Sequence, residues 1–408
     1  MPIVSAPTSA SLREPSVGMR RLALVLGLLT AIGPFAIDMY LPALPALAKA
    51  LQASPHAGQA SLMSFFLALG AGQLLVGPLS DRFGRKSPLT IGLAVFAVAS
   101  FGCALAPTIG VLIALRFVQG LGACAAMVIP RAVVRDLHSG PEAARLMALL
   151  LTVYSVSPIL APLAGSAVAA AAGWRGVFVV VGALALLSIL MVWRQLRETR
   201  RPADRSAAGM RGALAGYRTL VGDRHFVGIA LIASLAVGSF FIYVANSAFV
   251  LASHYGVAPQ RYALLFSLNA VSLILVSQLN GTLAARLGLR RTLRWATSLQ
   301  AAVLLSLLAA QVAGLDRLWL LVLLLMAGFG LNGLIVPSAF VLAMEKHASL
   351  AGSASALIGT LNFAGGAALM ALVAPFADGS PLPMVAAIAA CSAGAAVLAG
   401  TVLRKSQT

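Results

Sequence analysis

Long apolar runs separated by short polar stretches follow one another along the whole chain of 408 residues. Each run is roughly 20 to 30 residues long, enough for a helix rising 1.5 Å per residue to cross about 30 Å of hydrocarbon. Backbone groups in lipid must be hydrogen-bonded internally, and the runs are too long for barrel strands, so they are expected to be helices. Twelve membrane spans are predicted, at residues 20–47, 58–80, 87–106, 108–136, 142–171, 174–195, 222–252, 259–285, 291–313, 316–344, 350–376 and 382–403.

Composition agrees with this pattern, because 60% of the residues are hydrophobic and only 10% are charged, against about 25% charged in soluble domains. The apolar run after Arg20 and Arg21 is longer than the core of a signal peptide and no small-residue cleavage site ends it, so the first span is expected to be retained. The three cysteines lie in three different spans and form neither a disulfide framework nor a metal-ligand spacing. The sequence therefore predicts an all-α integral membrane protein.

Basic residues fall mostly on one side of the predicted membrane, although the net charge of +18 could by itself suggest a nucleic-acid partner. Of the 29 lysines and arginines, 24 lie on the side of the two termini, and Arg116 lies within a span; the other four are Lys49, Arg175, Arg261 and Arg317. This bias indicates that both termini are cytoplasmic. The basic loops are expected to lie against anionic lipid headgroups. No nucleic-acid binding is predicted, because no soluble domain presents a basic face.

The chain contains an internal repeat that divides it into two parts. The segment GPLSDRFGRKSPL at residues 77–89 aligns with GTLAARLGLRRTL at residues 281–293, an offset of 204 residues (77 to 281). Residues 196–221 are polar and basic with no evident apolar face, so they are predicted to be a cytoplasmic linker. Two pseudo-symmetric six-helix bundles are expected, at 1–195 and 222–408, a plan in which substrate binds between the halves near the midplane. A duplication with no role in transport is the alternative.

The segment GPLSDRFGRK resembles the loop signature of the major facilitator superfamily. The resemblance implies a gating loop on the cytoplasmic face, in which Asp81 and Arg82 pair across the two halves and with Asp136, and so latch the outward-open state. The second half has Ala285 in place of the aspartate, so this latch is expected to be one-sided. Simple anchoring of the loop is the alternative for each residue. The residues of the predicted gating loop are Gly77, Asp81, Arg82, Gly84, Arg85 and Asp136.

Two further segments resemble signatures of the same superfamily. LIALRFVQGLGACAA at 112–126 is similar to the fourth-span signature, whose arginine, here Arg116, is tied to proton coupling. SVSPILAPLAG at 155–165 resembles the fifth-span signature of the drug:proton antiporter branch, with a serine in place of a usual glycine. Its prolines and small residues are expected to let the helix bend and pack closely. The predicted bend is formed by Ser157, Pro158, Pro162 and Gly165.

The segment DMYLPALP, with RD at 135–136 and GWR at 173–175, is most similar to the bicyclomycin/chloramphenicol-resistance (Bcr/CflA) type of that branch. The resemblance covers essentially the whole chain and is strongest in its first half. It implies a major facilitator fold, and a monomeric multi-pass transporter in the bacterial cytoplasmic (inner) membrane.

Only two charged residues lie clearly inside predicted spans, namely Asp38 and Arg116. Intramembrane charges are expensive, face the interior of the bundle, and mark ion or proton paths. Asp38 lies nine residues from the outer end of its span and Arg116 eight, so both are about 12 to 13 Å deep and could meet. Asp38 is predicted to take up a proton from outside as substrate leaves, and to release it inside. A structural pair that never titrates is the alternative.

The predicted binding pocket is large and mostly apolar, which suits hydrophobic or weakly charged drugs. Polar and aromatic side chains within spans are candidate contacts, although aromatic packing against lipid and amide bonds between helices would explain the same residues. The substrate-binding candidates are Phe35, Tyr154, Tyr243 and Asn246.

No catalytic chemistry is predicted, because the five histidines fall in loops or at span ends, and the sequence has no phosphate-binding glycine loop or Gly-x-Ser-x-Gly motif. No metal or cofactor is expected, and transport must draw on an ion gradient. The sequence predicts a secondary active multidrug efflux transporter that exports hydrophobic or amphipathic drugs in exchange for protons by alternating access. A proton-coupled exporter of an endogenous metabolite, such as an amino acid or a sugar, is the first alternative, and a non-transporting receptor is the second.

Overall fold

The computed structural model describes residues 17–200, 209–347 and 350–404, and within those ranges it contains helices and no strands. The predicted all-α architecture is confirmed. Parts of the predicted basic surface lie outside the described residues, namely the N-terminal tail with Arg13, linker residues 201–208, and Lys405.

Six helices make up the first half of the chain. Polar side chains cap several of them: the Ser54 hydroxyl accepts the N–H of Ala57 at 3.3 Å, and the Thr108 hydroxyl accepts the N–H of Val111 at 3.4 Å. The elements are α1 (Val17–Asp38), a 3₁₀ turn (Leu41–Ala43), α2 (Leu44–Ala50), α3 (Pro55–Phe83), α4 (Lys86–Leu105), α5 (Ile109–Leu137) and α6 (Gly140–Gln195).

Helix α6 contains both the fifth and the sixth predicted spans. It has 56 residues, about 84 Å at 1.5 Å per residue, which is far more than one membrane crossing. The helix is broken at Gly173, where φ is 67° and ψ is −177°, a conformation open to glycine because it has no Cβ. The described residues contain eleven helices long and apolar enough to cross a membrane. Because α6 supplies two crossings, they correspond to the twelve predicted spans.

The second half begins with a short helix that lies outside the spans. The next helix starts after Asp223, whose carboxylate accepts the N–H of His225 at 2.8 Å. The eighth and tenth spans are each built from two consecutive helices. The elements are α7 (Gly209–Gly222), α8 (Arg224–Phe249) with a π-helical turn (Val250–His254), α9 (Pro259–Ser277), α10 (Asn280–Leu287), α11 (Leu289–Val312), α12 (Leu318–Gly330), α13 (Asn332–Met344), α14 (Ala351–Val373), a 3₁₀ turn (Ala374–Phe376) and α15 (Pro381–Val402).

The expectation that the linker 196–221 has no apolar face is wrong, because its second part forms the amphipathic helix α7. Leu220 is fully buried, and the hydroxyl of Tyr217 donates to the carbonyl of Leu74 in α3 at 3.0 Å. Gly216 packs against Ser353 of α14, in the second half. One apolar residue per turn is enough to cover one helix face, and the surrounding arginines hide that spacing in the sequence.

The helices of each half pack mainly on one another, and the halves meet through two helix pairs. In the first half α1 packs on α6, and α3 and α4 pack on α5; in the second, α8 packs on α14 and α15. Between the halves, α3 meets α14 and α6 meets α9. Small residues allow this approach, since a Cβ at Gly70 would lie 2.6 Å from the backbone nitrogen of Ala364. The residue boundaries of the two halves stay a prediction.

On the predicted outer side the halves are packed together, whereas on the predicted cytoplasmic side parts of α6 and α10 are exposed. On the outer side the amide of Gln59 donates to Asn246 at 3.0 Å, and Phe66 stacks on Phe241 with ring centroids 4.4 Å apart. At the other end most side chains of residues 141–152 in α6 are exposed, and α10 has no buried residue. These parts of α6 and α10 are therefore not covered by the other helices of the described chain.

Candidate functional site

Asp38 is the last residue of α1, and its side chain is only 6% exposed. The helix ends here because Pro42 has no N–H to donate to the Asp38 carbonyl, and a 3₁₀ turn follows. Among the described residues, no group donates a hydrogen bond to this carboxylate or forms an ion pair with it. Buried charged groups are ordinarily paired. A carboxylate that has no partner inside a span is therefore suited to binding first one group and then another.

Arg116 lies fully buried in α5 and is surrounded by neutral groups. Its Nη1 donates to the carbonyl of Ala36 at 3.1 Å and to Oε1 of Gln119 at 2.7 Å. Its guanidinium carbon lies 4.2 Å from the ring centroid of Phe65 and 4.8 Å from that of Tyr40. Aromatic faces attract a desolvated cation, so these two rings partly take the place of a counter-ion.

The contact between Asp38 and Arg116 that their equal depth allows is not made. Arg116 instead binds the carbonyl of Ala36, two residues before Asp38. In a continuing helix the N–H of Tyr40 would donate to this carbonyl, but the helix has ended, and Arg116 supplies the missing donor. The arginine therefore fixes the end of α1 that carries the carboxylate.

The Asp38 carboxylate faces the junction of the two halves. It lies within electrostatic range of the phenols of Tyr154 in α6 and Tyr262 in α9. The backbone beside it is seated on α6, because the carbonyl oxygen of Met39 lies so close to Gly165 that a Cβ at residue 165 would overlap it. Only glycine fits at that position, so α6 fixes where the end of α1 lies.

The predicted bend of the fifth span is only partly visible. The Ser157 hydroxyl donates back to the carbonyl of Val153 at 2.7 Å, as serine does inside a helix. Helical turns continue through Pro158 and Pro162. The close packing expected of the small residues is observed at Gly165, and the bend itself stays a prediction.

The second half faces the junction with aromatic rings and amides. Tyr243 is 2% exposed, and its hydroxyl accepts the Asn269 amide at 3.1 Å. Its ring stacks on Phe266 with centroids 5.8 Å apart and contacts Phe329 at 5.3 Å. Oδ1 of Asn269 is buried with no hydrogen-bond partner in the described part of the chain. These residues therefore form a buried aromatic cluster with few polar groups.

The other substrate-binding candidates occupy different surroundings. Asn246 is 3% exposed; it accepts from Gln59 and donates to the carbonyl of Ile242 at 2.9 Å, so here it joins the halves instead of facing a cavity. Phe35 is half-buried and packs on the main apolar core. Tyr154 is half-buried near Asp38. Their roles as substrate contacts stay predictions.

Sequence reasoning overlooked Tyr262, although a signal for it was present. Tyr262, Phe266 and Asn269 follow one another at helical spacing, so they share one face of α9. That face packs on Tyr243, and Tyr262 bonds to Ser247 in α8 at 3.1 Å. A stripe of three aromatic or amide residues in one span was therefore readable as an interior face.

In the predicted gating loop the central base is Arg85, not Arg82. Arg85 is 4% exposed, and its guanidinium lies 2.8 Å from the carboxylate of Asp81 and 2.7 Å from that of Asp136. Arg82 is exposed, with its guanidinium carbon 5.4 Å from the ring centroid of Phe83. In this conformation the described ion pairs of Asp81 and Asp136 are made with the first half and the start of the linker. The latch across the halves stays a prediction for the outward-open state.

Residues just after the sixth span complete the loop cluster, although the sequence suggested no role for them. Arg200 lies 3.4 Å from Asp81, and the Glu198 carboxylate accepts the N–H groups of Arg85 at 2.8 Å and Lys86 at 3.1 Å. Burial pushes the pKa of Glu198 upward, but these backbone donors outweigh it and hold the pKa below its ordinary value. At Gly84 φ is 89°, and a Cβ would lie 2.5 Å from Oε2 of Glu198. The loop is thus held by the start of the linker.

Comparison with known proteins agrees with this architecture. The family model described as Major Facilitator Superfamily matches residues 26–370. An uncharacterized MFS-type transporter of Bacillus subtilis, YdgK, is 37% identical over 87% of this chain and 89% of its own length. A bicyclomycin resistance protein homolog of Haemophilus influenzae is 30% identical over 90% of this chain and 92% of its own length.

Among solved structures, a bacterial homolog of the human lysosomal transporter Spinster superposes with a TM-score of 0.72 over 96% of this chain and 98% of its own, at 16% identity. That protein is in an inward-facing, unoccupied conformation. At this identity the likeness shows the fold alone, and the fold is the one that the sequence predicts.

Proposed function

This chain belongs to the major facilitator superfamily, with relatives of the bicyclomycin/chloramphenicol-resistance type, and on that premise we propose that it exports hydrophobic or amphipathic drugs in exchange for protons by alternating access. The relatives named for resistance to bicyclomycin, chloramphenicol and multiple drugs support drug efflux. The chain is a transporter and not an enzyme.

One observation carries the proton coupling: Asp38 is buried at the junction of the halves and, among the described residues, has no partner. A carboxylate in that position binds either a proton or a cationic or polar group of a drug, because no resident cation competes. Binding of the proton on the outer side releases the drug, and loss of the proton on the cytoplasmic side restores the site. Arg116 acts by holding the end of α1 through the Ala36 carbonyl.

The binding surface is expected to combine Asp38 with the aromatic cluster of the second half. Tyr154 and Tyr262 lie within electrostatic range of the carboxylate, and Tyr243 and Phe266 would supply aromatic rings, which are buried in this conformation. A surface of this kind recognises shape and hydrophobicity more than a fixed pattern of hydrogen bonds. It supports drugs over polyhydroxylated sugars as substrates.

The experiment compares Asp38→Asn with wild type in cells that lack their own drug pumps, with and without an uncoupler. We expect wild type to lower drug susceptibility only while the proton gradient is intact, and Asp38→Asn to lose this protection at normal membrane expression. Asp378→Asn, a change in an outer loop, is the matched control and should behave as wild type. Normal efflux by Asp38→Asn would contradict the proposal.

Purified protein in proteoliposomes separates the remaining alternatives. Under an imposed pH gradient, a drug exporter drives counterflow of protons and drug, whereas an exporter of metabolites responds to amino acids or sugars in the same assay. A receptor gives no flux with either class. The proposed orientation, with both termini cytoplasmic, and the proposed monomeric state are tested on the same preparation by labelling of terminal tags and by mass in detergent.

A further inference from the structure

A groove of about 410 Å³ lies on the surface of the second half, between the outer ends of α9 and α12. Its walls are apolar, with Leu265 on one side and Val322 and Met326 on the other, while Arg261 and Trp319 lie at its mouth. Trp319 is 66% exposed. The groove belongs neither to the junction of the halves nor to the gating loop.

The groove exists because α9 and α12 touch at its floor and separate above it. At the floor the Ser272 hydroxyl donates to the carbonyl of Met326 at 2.8 Å, and Gly330 lies directly against Ser272. From Met326 to the start of α12 at Leu318 is eight residues, about 12 Å of helix. That depth accommodates the upper part of an acyl chain.

The mouth of the groove carries positive charge, although few basic residues lie on the predicted outer side of the chain. Only four basic residues fall on the predicted outer side; of these, Arg261 lines this groove, and Arg317 directly precedes Leu318, which also lines it. Both are exposed, and neither has an ion-pair partner among the described residues. By contrast, Arg175 donates to the carbonyl of Ala106 at 3.3 Å and lies over the ring of Trp174.

The acid nearest in sequence does not neutralise these two arginines. Asp316 accepts hydrogen bonds from the His254 ring and from the Tyr255 hydroxyl. Burial raises the pKa of Asp316, but the two donors outweigh burial, so the pKa lies below its ordinary value. The carboxylate is thus already hydrogen-bonded to His254 and Tyr255. The arginines therefore present an uncompensated charge next to an apolar groove.

We propose that this groove binds an anionic glycerophospholipid of the outer leaflet. The phosphate lies between Arg261 and Arg317, one acyl chain follows Leu265 and Met326, and Trp319 packs at headgroup level, where tryptophan is favoured. Basic pockets between membrane helices select anionic headgroups in this way, each arginine contributing about fivefold to affinity. A hydrophobic cation, the other candidate occupant, is repelled by the two arginines.

The test measures quenching of tryptophan fluorescence by brominated lipids in the full-length protein. Trp193 and Trp295, which are exposed at the opposite membrane face, are changed to phenylalanine so that Trp319 is the lipid-exposed reporter. The same protein with Trp319→Phe gives the background from the buried Trp174. Brominated phosphatidylglycerol is compared with brominated phosphatidylcholine at equal mole fractions.

We expect the anionic lipid to be preferred at Trp319 by roughly tenfold or more. Arg261→Gln should remove most of that preference, and Arg261→Gln with Arg317→Gln should abolish it. Lys49→Gln is the matched control, because Lys49 is an exposed basic residue on the predicted outer side and does not line the groove. It should leave the preference unchanged.

Two results would overturn the proposal. One is equal quenching by both lipids in the protein with its arginines intact, or a preference that survives loss of both arginines. The other is displacement of the brominated anionic lipid from Trp319 by tetraphenylphosphonium, a hydrophobic cation, which would identify the groove as an entry site for drugs. The variants change exposed residues only, and a single symmetrical peak in size-exclusion chromatography confirms that each is folded.

Discussion

The two halves share the same arrangement of helices but differ in the charge of their buried polar groups. In the first half Arg116 bonds to Gln119, and Gln119 donates to Ser100 in α4 at 2.7 Å. The corresponding spans of the second half hold an uncharged pair, with Gln300 in α11 donating to Asn332 in α13 at 3.0 Å. Of these two buried polar pairs, the one in the first half thus includes a charged residue. The pair in the second half is uncharged, and this half supplies amides and aromatic rings.

The repeated loops, at the face predicted to be cytoplasmic, show the same difference. Gly84 and Gly288 both have positive φ, 89° and 80°, so both loops need glycine for the turn. Around the first turn Arg85 is buried between two carboxylates, whereas α10, before the second turn, has no buried residue. The two copies of the repeat share a backbone requirement and differ in their side-chain chemistry.

The largest effect is expected from Arg116→Lys. The lysine Nζ lies one bond nearer the backbone than Nη1 of arginine, which donates to both the Ala36 carbonyl and Gln119, so the end of α1 loses a fixed donor. Proton-coupled drug transport should fall by about tenfold or more. Drug flux into proteoliposomes measures it, with Arg135→Lys, an exposed arginine of the same helix, as the control. Full transport by Arg116→Lys would mean that only the charge matters.

Next in size is the contrast between Arg85→Gln and Arg82→Gln. Loss of Arg85 leaves two carboxylates without their main partner, so we expect about 3 kcal/mol of destabilisation. Arg82 is exposed, and its loss should change stability by less than about 0.5 kcal/mol. Thermal unfolding of the purified variants measures both. Equal effects would contradict the assignment of Arg85 as the central base.

A smaller effect is expected from alanine at the two loop glycines. Both conformations are nearly glycine-only, so each substitution should destabilise by about 1 to 3 kcal/mol. Gly84→Ala should cost about 1 kcal/mol more than Gly288→Ala, because only the first Cβ would meet the Glu198 carboxylate, while that at Gly288 meets nothing within 4 Å. Melting temperatures of the pair measure the difference. A larger effect of Gly288→Ala would show that the Glu198 side chain can move away from the new Cβ without a loss of stability.

The smallest effect concerns the pH dependence contributed by Glu198. Its pKa is lowered in the folded protein, so its stabilising contribution is complete above the ordinary glutamate pKa of about 4.3 and is lost as pH falls through the folded value. The difference in melting temperature between wild type and Glu198→Gln should therefore be constant near neutral pH and shrink below about pH 4. A difference that grows on acidification would contradict this sign.

Much of the fold could be predicted from the sequence, because few backbone structures satisfy their hydrogen bonds inside lipid. The twelve apolar runs had to be helices, and Asp38 and Arg116 were identified by being charges inside those runs. The boundary between the fifth and sixth spans was also correct, since Gly173 interrupts the helix there. The amphipathic helix α7 was missed because its apolar residues stand among arginines. The basic composition of the segment hid the helical spacing of those apolar residues.

The sequence by itself determined the depth of each residue in the membrane, since depth follows from position along a helix of known rise. It could not determine the direction in which a side chain points around the helix axis, because that depends on which neighbours pack on each face. The tertiary structure therefore decided that Arg116 binds the Ala36 carbonyl and not Asp38. It also decided that Arg85 and not Arg82 lies between the carboxylates, and that Asp38 is buried with, among the described residues, no hydrogen-bond or ion-pair partner.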